Sequence, residues 1–329
     1  MKKRNIAVVF GGYSSENVVS RRSARGIASF LDADLYNIYL VDIEHDRWTV
    51  EIEGSEPIDI DRSDFSFTCA GEKIHFDLAY ITIHGNPGEN GILQGYFDMV
   101  GVPYPCCGVF AASLTFNKYA CNRYLSQLGF HVAKAVRIAA GEAVDPQTIA
   151  DAVGFPCFIK PNQGGSSFGT TKVKCLDEVL PAIAAARAED DGEGLVEAVL
   201  AGTEVSCGCY KTREGMTSLP VTEVVSKNEF FDYEAKYTAS RVEEITPARI
   251  SDALTREIQA LTARIYDVVG CKGIIRADYI IVEGVPYLLE VNTTPGMTAT
   301  SFIPQQVRAA GLDMTRVLTE LIETELSRG

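Results

Sequence analysis

The chain has 329 residues, 46% of them hydrophobic, and a formal net charge of −14. That is enough length for two or three domains and enough apolar content for a buried core, while the acidic balance opposes nucleic acid and anionic membrane surfaces. No apolar run approaches the roughly 18 residues of a membrane helix, and the apolar stretch of the N-terminal MKKRNIAVVFGG is too short for a signal peptide, so a cytoplasmic protein without a membrane partner is expected.

In chain order, the N-terminal part alternates strand and helix. NIAVVF reads as a strand, followed by a Gly-rich turn, a helix from Ser15 to Phe30, strands YNIYLVDI and DLAYITIH, and a helix over GILQGYFDMVG. One helix is predicted from Gly108 to Gly129, then strand VAKAVRIAA, a short helix DPQTIADAV, and strand FPCFIKP entering the loop NQGGSSFG. Strand TTKVKC, an Ala-rich helix over 177–190 and strand GLVEAVL complete this unit. The last part has strands TEVSCGCYKTR and SLPVTEVVS, and a helix with apolar Leu254, Ile258, Leu261, Ile265 and Val268. It ends in a hairpin over 274–292 and one C-terminal helix. The fold class is α/β and α+β, with predicted units 1–106, 107–197 and 198–329.

Nine cysteines, an odd number without zinc-ligand spacing apart from Cys207-Gly-Cys209 and the adjacent Cys106 and Cys107, read as reduced, mostly buried thiols. The hairpin IIRADYIIVEGVPYLLEVN is unusual because acids occupy strand positions. Arg276 and Asp278 share one face of its first strand, Glu290 and Asn292 one face of its second. A three-residue loop, Glu283-Gly284-Val285, sets Asp278 opposite Glu290 and Arg276 opposite Asn292. An even loop separates them unless a bulge intervenes. Facing carboxylates repel, and two carboxylates with an amide suit a hard cation such as Mg²⁺. A solvated outer face is the competing reading for such acids.

Lys160 ends an apolar strand before Pro161 and NQGGSSFG, whose glycines at 164, 165 and 169 let backbone N–H groups approach an anion. Neither GxxxxGK[ST] nor GxGxxG is present, so a Walker loop and a nicotinamide dehydrogenase are both excluded. Taken alone, such a loop is more often an ordinary turn, and Lys118 and Lys236 are more often solvated than functional.

The motifs FIKPNQGGSSFG, LVEAVLAGTEVS, YEAKY, RADY and LLEVNTTPGMTATS, with GGYSSENVVS and HGNPGENG near the N-terminus, stand in the order and spacing of an ATP-grasp enzyme. Over essentially its whole length the chain resembles the D-alanine:D-alanine ligases. The resemblance implies an ATP-grasp fold behind an N-terminal Rossmann-like domain. It also implies ATP, two Mg²⁺ or Mn²⁺ ions and D-alanine as ligands, a homodimer, and a role in peptidoglycan precursor synthesis.

By the same resemblance, Lys118 and Lys160 bind nucleotide phosphates, Glu197, Ala198 and Leu200 border the adenine, Glu204 holds the ribose and Lys236 reaches the terminal phosphate. Asp278, Glu290 and Asn292 match metal ligands. Arg276 and the backbone N–H of Gly296 match the groups that stabilise the transferring phosphoryl charge. Glu16, Ser166 and Tyr237 match a hydrogen-bonded substrate triad, with Glu16 on the ammonium of the first D-alanine. His84 lies near the substrates, and Ser301 with Phe302 matches the receiver of the second carboxylate.

Two positions depart from the family: Ala198 where many members have lysine, and Gly164 where many have glutamate. Tyr237 after the loop lysine favours an amine acceptor, D-alanine or D-serine, over D-lactate. NQGGSSFG and YEAKYTASRVEE are the expected lids. On residue type alone, His84 reads as a turn residue satisfied by backbone, and Glu16 fits a helix N-terminal charge after Ser14 and Ser15. The rivals are an ATP-grasp ligase with another acceptor and a non-catalytic ATP-binding module.

Overall fold

Within NIAVVF the run Ile6 to Phe10 is apolar at every position because it is buried on both faces, as a central parallel strand requires. In the computed structural model, which describes residues 2–165, 168–189, 192–226 and 242–328, it forms β1 (Arg4–Gly11). Then come α1 (Asn17–Phe30), β2 (Tyr36–Ile43), β3 (Trp48–Glu51), β4 (Ile58–Asp59), a hairpin of β5 (Ser66–Cys69) and β6 (Glu72–His75), and β7 (Leu78–Ile81). The sheet order is β4-β3-β2-β1-β7, parallel at β2-β1-β7. Strands β3 to β6 have no counterpart in the sequence reading.

α2 (Ile92–Val100) leads to α3 (Val109–Phe116) and α4 (Lys118–Gln127). The single helix expected from Gly108 to Gly129 is thus two. Asn117 breaks it by leaving the helical region (ψ 97°) and accepting the Ala120 N–H with its side chain, which caps α4. The second sheet is antiparallel, in the order β10-β9-β11-β8. Its strands are β8 (Ala135–Ile138), β9 (Cys157–Pro161), β10 (Thr171–Val173) and β11 (Gly194–Ala198), with α5 (Pro146–Ala152) and α6 (Val179–Glu189) between them.

The third sheet runs β15-β14-β12-β16-β17, with β13 paired to β12. It comprises β12 (Thr203–Thr212), β13 (Gly215–Ser218), β14 (Thr222–Ser226), β15 (Val242–Ile245), β16 (Ile274–Val282) and β17 (Val285–Asn292), with α7 (Asp252–Val269) before the last pair. The predicted strand SLPVTEVVS starts only at Thr222, because Leu219 and Pro220 form the connection from β13. In place of one C-terminal helix there are α8 (Phe302–Ala309) and α9 (Met314–Leu326), separated where Gly311 takes φ 70°.

Two apolar clusters position the site. Ile258, Ile265 and Val269 of α7 pack on Cys207, Ile275, Tyr279 and Val291, the face of the third sheet turned from the cleft. Ile6, Val8 and Ile27 of the N-terminal unit share a core with Met297, Ile303, Val307, Leu318 and Ile322. The contact is close: a Cβ at Gly26 of α1 would stand 2.2 Å from the carbonyl oxygen of Met297. No helix among the described residues is long and apolar enough to cross a membrane.

Candidate active site

The acids of the hairpin meet as expected, but by a different route. Val282 pairs with Val285, so the loop has two residues, Glu283 (φ 49°) and Gly284 (φ 82°), both in the left-handed region of a type I′ turn. That even loop sets Tyr279 opposite Leu288. A bulge at Leu289 then shifts the register, so that Asp278 faces Glu290 and Arg276 faces Asn292. The expected three-residue loop is therefore corrected, and the bulge restores the alignment.

Asp278 is 7% exposed and its four acceptor directions are filled. Ser206, directly opposite on β12, donates to Oδ1 at 2.6 Å. Arg276 forks onto both oxygens at 2.9 and 2.8 Å, and Asn292 Nδ2 donates to Oδ2 at 3.0 Å. Burial opposes the charge of Arg276, but the neighbouring Asp278 carboxylate outweighs it and holds the guanidinium pKa above its ordinary value. The guanidinium also lies 5.2 Å above the ring of Phe302. The donor types suit a hard cation, two facing carboxylates and an amide whose Oδ1 remains for coordination, with Asp278 exchanging one of its four hydrogen bonds for the ion. Among the described residues no three His, Cys, Asp or Glu side chains gather into a metal site, so water and phosphate oxygens would complete the shell.

Lys118, first residue of α4, joins this platform to the glycine loop. Its Nζ is 3.8 Å from Glu290 Oε2 and donates to the carbonyl of Gly164. Lys160 at the end of β9 pairs with Glu197 of β11, which also accepts from Asn122 at 3.2 Å. Asn162, fully buried, ties the start of α4 to the chain just beyond β9. Its carbonyl accepts the Lys118 N–H and its side-chain oxygen the Tyr119 N–H, both at 3.0 Å. Lys118, Lys160 and Glu197, with Ala198, Leu200 and Glu204, line a cleft of ≈ 1300 Å³ between the second and third sheets.

Glu16, His84, Gly296, Ser301 and Phe302 line the same cleft. Glu16 is buried at the start of α1, and a Cβ on Gly165 would come within 2.8 Å of its carboxylate, so only glycine admits this approach. Burial lowers the His84 pKa, Glu16 opposes that shift and Arg276 adds to it, and Nε2 lies 3.2 Å from Ser23 Oγ. His84 is thus held by a side chain, unlike the turn reading. Ser301 Oγ accepts the Thr298 N–H at 3.0 Å, shaping the loop that ends in the N-terminus of α8. Ser166, Lys236 and Tyr237, and most of YEAKYTASRVEE, lie outside the described residues.

Sequence profiles described as D-ala D-ala ligase N-terminus and D-ala D-ala ligase C-terminus match residues 5–107 and 124–323. The chain belongs to the D-alanine–D-alanine ligase family. A D-alanine–D-alanine ligase of Bacteroides fragilis is 57% identical over 98% of this chain and 99% of the relative. One of Porphyromonas gingivalis is 54% identical over 99% of each. Among solved structures, the VanG D-Ala:D-Ser ligase from Enterococcus faecalis has a TM-score of 0.86 at 30% identity, covering 98% of this chain and 100% of that one. D-alanyl-alanine synthetase A from Vibrio cholerae has a TM-score of 0.89 at 26% identity, covering 99% of each. The fold is that of the family, ATP-grasp behind an N-terminal Rossmann-like unit.

Against this family background, the sequence reading missed groups that the cleft contains. Ser206 was legible as the cleft-facing neighbour of Glu204 at i+2 on β12. Glu89, inside the quoted HGNPGENG, lines the cleft, and its Oε2 accepts the Gly85 N–H at 2.7 Å. Burial, then the charge of Glu16, raises its pKa to about 7. Asn162 gave no local signal, since its role depends on α4 arriving from elsewhere in the chain.

Proposed function

We propose that the chain joins two D-alanine molecules to D-alanyl-D-alanine through a D-alanyl phosphate, releasing ADP and phosphate. The observation that best supports this is one continuous cleft that brings the Lys118–Glu290 and Asp278–Arg276 groups together with Glu16, His84 and the loop before α8.

A carboxylate is a poor electrophile, so the first D-alanine takes the γ-phosphoryl group of ATP. Lys118, Lys160 and Arg276 offset the charge on the phosphate oxygens, and Gly296 adds a backbone N–H. Asp278, Glu290 and Asn292 would hold Mg²⁺ or Mn²⁺, two ions in all, which neutralise phosphate charge when bound. Glu16, completed by Ser166 and Tyr237, holds the ammonium of the first D-alanine, and His84 flanks it. Lys236 acts on the terminal phosphate. Ala198 and Leu200 with Glu197 border the adenine, and Glu204 holds the ribose.

The neutral amine of the second D-alanine, its carboxylate at Ser301 and Phe302, attacks the acyl carbon. The C–N bond forms, the C–O bond to phosphate breaks, and a proton leaves with phosphate. Holding both amino acids in line makes this step effectively unimolecular.

We also propose that the chain divides at 106/107 and 197/198, works in the cytoplasm, and pairs as a homodimer. Ile92, Met99, Val109 and Phe110 on α2 and α3 are 60, 87, 41 and 63% exposed and form the surface a second copy would cover, which light scattering would reveal as a doubled mass.

Phosphate release from Mg-ATP with D-alanine, L-alanine, D-serine, or D-alanine plus D-lactate tests the reading, with products weighed by mass spectrometry. D-alanine-dependent release with the dipeptide formed is expected. ATP binding without release for any substrate would overturn it.

A further inference from the structure

One face of α1 looks into the cleft. Glu16, Val19, Arg22 and Ser23 line it, at the three- and four-residue spacing that places side chains above one another on a helix. One turn beyond Arg22, Gly26 lies against the backbone of Met297 and Thr298. Arg22 is therefore beside the loop that runs from Gly296 to Ser301.

The two arginines at this point of α1 are used differently. Arg21 is 2.7 Å from Asp42 and 2.8 Å from Glu44, and its Nε donates to Asn17. Arg22 is exposed and makes no hydrogen bond or ion pair among the described residues. In a chain of net charge −14, this leaves a guanidinium unpaired among the described residues at the rim of a cleft that takes amino acids. Arg276, the other arginine lining the cleft among the described residues, is already forked onto Asp278.

We infer that Arg22 receives the α-carboxylate of the second D-alanine. This rests on the reading above that the acceptor lies at the Ser301–Phe302 end. The acceptor must turn its amine toward the acyl phosphate, so its carboxylate points away from Arg276, toward the rim. A guanidinium there pairs with both carboxylate oxygens, and it favours acceptors that carry a carboxylate over those that carry an amide. A solvated surface arginine makes no such distinction.

The test compares the full-length chain with Arg22→Gln and Arg22→Lys, supplying D-alanine with D-alaninamide as competing acceptor and weighing both products. Arg22→Gln should lower the ratio of D-alanyl-D-alanine to D-alanyl-D-alaninamide by about three- to tenfold, the size of a rim ion pair. It should raise the KM of the second D-alanine by a similar factor and leave the KM of ATP unchanged, and Arg22→Lys should recover part of the loss. An unchanged ratio and KM would overturn the inference, as would an equal rise in the KM of ATP. If the wild type forms no amide product, the KM of the second D-alanine decides alone. A wild type that forms no dipeptide would instead defeat the reading of the reaction.

Discussion

Asp278 holds together more of the site than any other side chain. It anchors Arg276, Ser206 and Asn292 at once, so its loss removes a proposed metal ligand and also leaves the Arg276 guanidinium, 17% exposed, without its counter-charge. Breaking a buried pair from one side costs about 3–5 kcal/mol, and losing one aimed electrostatic group costs about two to three orders of magnitude in rate. Asp278→Ala should thus lower both thermal stability and dipeptide formation, checked by calorimetry and by phosphate release. Glu89 gives a different signature. Its pKa stands at about 7 against an ordinary 4.5, so in that interval the folded chain holds a proton that the unfolded chain has released. Stability is then greatest below the interval and falls as pH climbs through it. Glu89→Gln should flatten that slope, as Tm measured across the interval would show. Such groups were partly legible. Alternation placed Arg276 and Asp278 on one strand face, but the raised pKa of Glu89 comes from burial and from Glu16, which is distant in the chain.

At the scale of elements, most strands and helices announced themselves by period, and the errors cluster where a single residue overrides the pattern. Asn117 splits a helix whose apolar periodicity continues across it, because its amide caps α4. Strands β3 to β6 are short and two of them are largely exposed, so they lack the alternation that marks a half-buried strand. The β16–β17 turn holds Glu283 at φ 49° although its type prefers Asn followed by Gly. Glu283→Asn should therefore stabilise the chain by roughly 0.5–1 kcal/mol with activity intact, which a urea midpoint and the phosphate assay would check. A drop in activity would mean that the turn does more than reverse the chain.

For the whole molecule, the decisive relation is between α1 and the loop before α8. Sequence could place neither against the other, because the contact joins the first unit to the last and is made by a glycine, which leaves no apolar signal. Gly26→Ala would push a methyl group to 2.2 Å from the Met297 oxygen. Overpacking of this kind costs about 1–3 kcal/mol, while displacing Gly296 and Ser301 by even about 1 Å can cost on the order of a hundredfold in rate. The expected result is a modest fall in Tm with a much larger fall in kcat, whereas equal and slight effects would show the contact to be incidental.

The bulge at Leu289 has a further implication, one of parity. Asp278 and Glu290 face each other because an even turn and one surplus residue add up to an odd count. Neither number matters alone. A lineage could lengthen the turn by one residue and delete the bulge, or the reverse, and keep every ligand on the same face. A single insertion or deletion anywhere between Asp278 and Glu290 would instead rotate Glu290 into the apolar layer under α7. The site is inherited as a sum, so close relatives can differ at both places and still align their chemistry.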